Sequence, residues 1–426
     1  NALLLTGARQ VGKSYAIRKY GTTNYTSFVE INFIEQPQAV QIFKNATSAS
    51  DLLLRISAFT QKPLIKGETL IFFDEVQVYP DILTWTKFLV DSAEYKYALS
   101  GSLLGVQLKD IRSIPVGYMS EIKVHPLTFE EFIRAIGVGN TTINSLKNSW
   151  NNHVPIDDIV HTKMMQLFNL YLIVGGMPAA IQAYIDSNNI QQVMSVQHDI
   201  LQLYKKDIAQ YNERRKLYIQ DIFDIIPSEL NAQNKRFILK DVSQNIKFSR
   251  SENDFIWLSD AGVALPVYNV EAPCTPLILN KQRNLFKLFQ NDVGLLACQY
   301  ASGIQMKILN GETDINFGAI YENLVAQELK AHGYDLYYYN SKKYGELDFL
   351  VEQANNILAI EVKSGKTYQR HNALDKCLSC NEFHIDQAIV LCHDNLTVKG
   401  NITYMPIYMT MFIKKHQTTS PTIYKL

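Results

Sequence analysis

The segment Gly7-Ala8-Arg9-Gln10-Val11-Gly12-Lys13-Ser14 has the residue types and spacing of a phosphate cradle, G-x-x-x-x-G-K-S. Gly7 and Gly12 permit backbone conformations closed to residues with a Cβ. Successive N–H groups from Gly7 to Ser14 and Tyr15 can then turn inward on a polyphosphate. Lys13 supplies a mobile positive charge for the terminal phosphates, and Ser14 offers a hydroxyl to a magnesium ion. Leu3-Leu4-Leu5 ahead of the loop reads as a buried strand, and Tyr15 to Tyr20 behind it as a helix. The first turn of that helix adds unpaired N–H groups and the positive end of its dipole. At ordinary glycine usage the pattern arises by accident in about one to two per cent of chains this long, and more rarely still between a strand and a helix.

A second stretch completes the chemistry. Thr69-Leu70-Ile71-Phe72-Phe73-Asp74-Glu75 is an apolar run ending in two carboxylates, as a central parallel strand is at the carboxyl edge of its sheet. Asp74 is placed to hold the metal through water, and Glu75 to orient or deprotonate an attacking water. The plainer alternative, a buried strand before a solvated acidic turn, loses ground once the glycine loop is counted. Tyr97-Ala98-Leu99-Ser100-Gly101-Ser102 reads as the next strand, where Ser100 or Ser102 could sense a γ-phosphate; a simple polar turn explains it equally well.

The C-terminal third carries a different possible chemistry. Gly345-Glu346-Leu347-Asp348 and Ile357-Leu358-Ala359-Ile360-Glu361-Val362-Lys363 read as adjacent strands, and alternation sets Glu361 and Lys363 on one face. Asp348 and Glu361 could hold a hard divalent cation, with Lys363 activating water for attack on a phosphodiester. The alternative is an ion pair beside a hairpin carboxylate.

The elements that must position these groups follow from the pattern. The chain has 426 residues, 47% hydrophobic and 19% charged, with 41 basic and 41 acidic side chains. That length suggests about two to four domains, and the balanced charge excludes a strongly basic nucleic-acid coat while allowing a local basic groove. No apolar run reaches ~18 residues, so no membrane span is expected. Five cysteines, an odd number, suit reduced thiols and a cytoplasmic setting. Cys377-Leu-Ser-Cys380 lacks a second pair at zinc spacing. The chain begins almost inside its first strand, so a native start is expected upstream.

Strands alternate with helices as far as Phe132. The helices are expected around Gln38–Phe43, around Ser50–Phe59 and from Pro80-Asp81, with a half-buried strand at Phe28–Phe33. Asn, Thr, Ser and Gly then dominate to about Val160, which reads as a loop or insertion. Helices follow to about Ser249, broken at Gly175-Gly176-Met177-Pro178 and at Ser187-Asn188-Asn189. Lys235–Gln244, Ser251–Leu258 and Ala264–Val270 suggest helix, helix and strand at winged-helix size, compatible with DNA binding or with a plain lid. Lys205-Lys206 and Arg214-Arg215-Lys216 read first as solvated helix faces. Ile320–Lys330 is expected to be an amphipathic helix, and later strands are expected at Tyr334–Tyr339, Asp386–Leu391 and Ile402–Met405.

The glycine loop, Phe73-Asp74-Glu75-Val76-Gln77, Ser100-Gly101-Ser102 and Pro126-Leu127-Thr128-Phe129-Glu130-Glu131-Phe132 together resemble the prokaryotic ATPases of the AAA superfamily that carry a C-terminal domain of unknown function. The likeness extends through Gly175-Gly176-Met177-Pro178, Tyr204-Lys205-Lys206-Asp207, Asn291-Asp292-Val293-Gly294-Leu295-Leu296 and Phe317-Gly318-Ala319-Ile320-Tyr321-Glu322-Asn323. It implies ATP with Mg2+ and hydrolysis; ring, dimer (a homo-oligomer) and monomer stay open, although such ATPases often need a neighbour's arginine. A basic residue that many relatives carry near Tyr118 is missing here, and Arg112 or a neighbouring copy is left to replace it. The Asp348, Glu361-x-Lys363 set resembles the core of restriction-enzyme-type and Holliday-junction-resolvase-like nucleases, PD-(D/E)xK, with Glu322 as the helix carboxylate.

The expected architecture is α/β. A P-loop NTPase core of AAA type with a doubly wound parallel sheet spans 1–136, and a polar loop 137–160. A helical lid with a winged-helix-like region spans 161–300, and a restriction-endonuclease-like α/β domain 301–426.

Overall fold

The apolar runs near the N-terminus become the strands of a parallel sheet. The computed structural model describes residues 1–102, 117–211, 216–232, 236–237, 248–301, 303–312, 318–353, 356–365 and 367–415. Arg112, Arg214, Arg215 and Phe317 lie outside these, as does the helix expected over Lys235–Gln244 but for residues 236–237. By internal contacts the chain divides into two units, Asn1–His125 with Ile256–Val263, and Pro126–Phe255 with Ala264–Leu426.

In the first unit β1 (Ala2–Thr6), β2 (Ser27–Asn32), β3 (Thr69–Asp74), β4 (Lys96–Ser100) and β5 (Met119–Lys123) form a sheet in the order β2-β3-β4-β1-β5. Every pairing is parallel. All six residues of β3 are buried, as a strand covered on both faces requires. Alternation divides them. Leu70 and Phe72 join Leu5, Ile17 and Ala98 on one face, while Ile71 and Phe73 join Val29, Ile31, Phe43 and Leu52 on the other. The doubly wound expectation holds for this sheet. The edge strand β5 was not anticipated, because its side chains are largely exposed and give no apolar signature.

The second unit holds a mixed sheet in the order β12-β13-β11-β10-β9-β8-β6-β7. Its strands are β6 (Ala264–Val270), β7 (Lys281–Gln290), β8 (Tyr337–Ser341), β9 (Gly345–Gln353), β10 (Asn356–Val362), β11 (Ile385–Cys392), β12 (Thr397–Lys399) and β13 (Ile402–Pro406). The strand expected at 264–270 is present. It pairs with β7 and, in parallel, with β8, so it belongs to the C-terminal sheet and not to a separate winged helix. A boundary at residue 300 therefore runs through a sheet whose strands β6 and β7 lie on its N-terminal side.

The stretch 137–160 also departs from expectation, for it contains the helix Asn140–Asn152. Its polar composition hid the spacing of Ile143, Leu146 and Trp150 at i, i+3 and i+7, of which Ile143 and Leu146 are buried. The helical middle is otherwise as read, with helices Asp158–Val174, Pro178–Ser187, Ile190–Tyr211 and Lys216–Asn231. No single helix among the described residues is long and apolar enough to cross a membrane. All five cysteines are free.

Several motifs of the second unit meet in one buried polar knot. The Leu127 amide donates to Gly176 O at 2.7 Å, and the Tyr171 hydroxyl to Leu127 O at 2.5 Å. The Gly176 amide donates to Asp292 Oδ2 at 2.6 Å. Gln327 accepts from the Val293 amide and donates to the Tyr171 hydroxyl. A Cβ on Gly176 would lie 2.1 Å from Leu127 O, so no other residue fits there. Glu328, on the helix Gly318–Ala331, is fully buried and accepts from the Phe129 amide at 2.7 Å. Burial pushes its carboxyl up to about 8.

A folded-state pKa above the unfolded one means that stability is complete below the unfolded pKa and is lost as pH rises through the folded value. The Glu328 contribution should therefore decline between about pH 4.5 and 8. Glu328→Gln, which keeps an acceptor for Phe129, is expected to melt higher than the parent at pH 8 and to match it near pH 4.5. Thermal melts across that range check this, and equal melting at pH 8 would count against a buried, protonated Glu328.

Candidate phosphate site and a second carboxylate cluster

β1 ends at Thr6, and the loop that follows leaves the β region at once. Gly7 has φ +129°, Gln10 +66° and Gly12 +91°. A Cβ on Gly7 would lie 2.2 Å from Val124 O, so the first glycine is demanded by close approach of the backbone as well as by φ. Gly12 is the N-cap of the helix Lys13–Asn24, and no side chain caps its first turn. Its leading amides are thus available to an anion. Ala8 and Val11 are buried and contribute through the backbone, while the Tyr15 ring is 72% exposed.

The Lys13 ammonium donates to Gly7 O at 3.0 Å and Ala8 O at 2.7 Å, so the loop's own carbonyls hold it inside the cradle. Burial pushes its pKa down to about 8, against the opposing pull of Glu75 and Asp74. Ser14 Oγ donates to Asp74 Oδ1 at 2.8 Å. That contact joins the two motifs read from the sequence, and it spends the serine's proton while leaving its lone pairs free for a cation.

Asp74 is 2% exposed and is held from several sides. The Ser100 hydroxyl also donates to it, so Ser100 positions the carboxylate instead of standing free as a sensor. On the other oxygen, Asn32 Nδ2 donates at 3.1 Å and Arg18 Nη2 at 3.4 Å. Asn32 lies opposite Asp74 in the β2–β3 register; Arg18 is one turn beyond Ser14 on the helix and is clasped by Glu30. Sequence reading missed both, although the i, i+4 spacing of Ser14 and Arg18 was a usable signal. Glu75 has φ +56° and accepts from Gln77 Nε2, which also donates to Ser102 Oγ at 3.2 Å. The carboxylate is therefore oriented by its neighbours.

Residues 1–133 match the family model described as AAA domain. The N-terminal region is an AAA domain. Residues 165–307 and 317–410 match two further models, each described as a domain of unknown function (DUF8612 and DUF4143). No curated protein matches the chain. Among solved structures, a Walker-type ATPase of Pyrococcus abyssi is 14% identical over 70% of this chain and 90% of its own, with a TM-score of 0.42. The AMPPCP-bound DnaA of Aquifex aeolicus is 10% identical over 61% and 77%, with a TM-score of 0.28. The ORC1 protein of Aeropyrum pernix in complex with DNA is 10% identical over 70% and 86%, with a TM-score of 0.27. At those TM-scores the likenesses carry no weight for function. The AAA domain model itself spans the glycine loop, Asp74, Glu75 and Ser100.

Separate from the AAA domain, the second unit gathers the other predicted residues. Asp348 on β9 accepts from the Val362 amide at 2.9 Å. Lys363 Nζ meets Glu361 Oε1 at 2.5 Å. Burial, reinforced by Asp348, raises the Glu361 pKa. For Lys363 burial pulls down, but Glu361 and Asp348 together raise the pKa and keep the ammonium charged.

Sequence reading did not anticipate Lys287. This β7 residue is 1% exposed, 2.6 Å from Glu346 and 3.6 Å from Glu322. Among the described residues no three His, Cys, Asp or Glu side chains are arranged to hold a metal ion. Asp348 lies close enough to Glu361 to help raise its pKa, so the two carboxylates expected to hold a metal are brought together. Two ammonium groups share the cluster, Lys363 on Glu361 and Lys287 on Glu322 and Glu346. Lys287 stayed hidden because it is far from the E-x-K motif in sequence and reaches it only across the sheet.

Proposed function

We propose that the chain binds ATP with Mg2+ at the glycine loop and hydrolyses it, and that the ATP state governs how the C-terminal domain engages nucleic acid. The Ser14–Asp74 hydrogen bond carries this reading, because it links two motifs sixty residues apart in the way a nucleotide site requires. The amides from Gly7 to Tyr15 cradle the phosphates, and Lys13 exchanges the Gly7 and Ala8 carbonyls for the terminal phosphates. Ser14 and Asp74 would hold the magnesium ion. When bound, the ion neutralises phosphate charge. Glu75, fixed by Gln77, takes a proton from the attacking water. Arg18 is engaged with Glu30 and Asp74, so charge for the γ-phosphate comes from another group, Arg112 or an arginine of a neighbouring copy. Titration calorimetry with ATP, GTP and their non-hydrolysable analogues tests the reading. Saturable binding of ATP is expected, and none at millimolar ATP would overturn it.

For the C-terminal domain, Lys287 favours a nuclease-like set that binds without cutting. A buried ammonium pairs with Glu322 and Glu346 and feels the Asp348 carboxylate, so it adds fixed positive charge that opposes a divalent cation nearby. Plasmid, single-stranded and branched DNA incubated with Mg2+ or Mn2+ are expected to stay intact. Cleavage that disappears in Asp348→Ala and Lys363→Ala would restore the nuclease role.

A further inference from the structure

The helix Asn140–Asn152 forms one wall of a cavity of about 600 Å3 in the second unit. This volume lies within the range of small-ligand pockets. Four cations line it, Arg134, Lys147, Lys414 and Lys415, against one carboxylate, Glu130. Glu130 is already matched, by Arg134 at 2.9 Å and Lys414 at 2.7 Å. Lys147 and Lys415 are exposed, and their ammonium groups make no ion pair among the described residues. In a protein with equal numbers of acidic and basic side chains, this is a local surplus of positive charge. The rings of Trp150 and Phe412 share the lining, with centroids 5.9 Å apart and planes inclined by 46°.

We propose that this cavity binds a single strand of nucleic acid, one base against Trp150 and Phe412 and the flanking phosphates on Lys147 and Lys415. Planar rings and unpaired cations lining one cavity match a strand's bases and phosphates. An acidic peptide would satisfy the lysines but leave the aromatic pair without a partner. The inference deepens the nucleic-acid part of the reading above and rests on it for the choice of polymer. It requires no hydrolysis, so it is tested both without nucleotide and with a non-hydrolysable ATP analogue: absence of binding in both states counts against the cavity, and equal binding in both counts against ATP control but not against the cavity.

The probe is a fluorescently labelled twelve-residue oligothymidylate titrated with the full chain, read by anisotropy at two salt concentrations. Binding should weaken with salt. Lys147→Glu with Lys415→Glu should weaken it at least about tenfold, and Trp150→Ala at least about fivefold, given the usual worth of stacking on one base. Polyglutamate should fail to compete. The proposal falls if the oligonucleotide does not bind at low salt, if the charge reversals leave affinity unchanged, or if polyglutamate competes as well as unlabelled oligothymidylate. Should Trp150→Ala unfold, the charge reversals on exposed side chains still decide the matter.

Discussion

Glu75→Gln is expected to keep ATP affinity close to the parent's while turnover falls by about two to four orders of magnitude, the range a positioned general base contributes. The substitution is nearly isosteric, and Gln77 and Ser102 remain to orient the amide. Among the described residues the Glu75 side chain makes no hydrogen bond to the glycine loop or to the Asp74 network, so the loss should lie in the chemical step. Phosphate release under saturating ATP, set beside calorimetric binding of a non-hydrolysable analogue, separates the two effects. Turnover at the parent's rate would remove Glu75 from the mechanism, and loss of binding would make it a structural residue of the loop.

Lys13→Ala should be still more severe, raising the dissociation constant for ATP by at least about a hundredfold. Two things vanish together: the cation that meets the terminal phosphates, and the donor that satisfies Gly7 O and Ala8 O. The pH dependence points to the same group. Burial holds the free-protein pKa near about 8, so above that pH the lysine must gain a proton before it can serve a triphosphate. Apparent affinity of the parent should then decline as pH rises past about 8, with proton uptake visible in calorimetry as a dependence on buffer ionisation heat. A variant that binds ATP normally would sink the cradle itself.

What the sequence disclosed was local. The loop's glycines, Lys13 and Ser14 are contiguous, and the Asp74-Glu75 pair ends an apolar run, so the pattern alone locates them. What it withheld depends on register. Asn32 reaches Asp74 because β2 pairs with β3 at that level, and Lys287 reaches Glu322 and Glu346 because β7 joins a sheet assembled from distant segments. Neither placement leaves a mark in neighbouring residues. The helix Asn140–Asn152 was concealed differently: asparagine and threonine have weak helix propensity, yet three apolar residues at the right interval were enough for tertiary packing to decide the matter. β5 shows the converse, a strand that pairs through its backbone with little apolar material to announce it.

The residues Ile256–Val263 belong with the first unit although more than a hundred positions separate them from its remainder. Lys123 reaches Ser259 O at 3.4 Å, and a Cβ on Gly262 would lie 3.0 Å from the Ala8 amide nitrogen. The nucleotide module is consequently discontinuous along the gene. A fragment ending near residue 133 would lack the piece that abuts its own glycine loop, and a graft of this module onto another scaffold would have to bring both lengths of polypeptide with it.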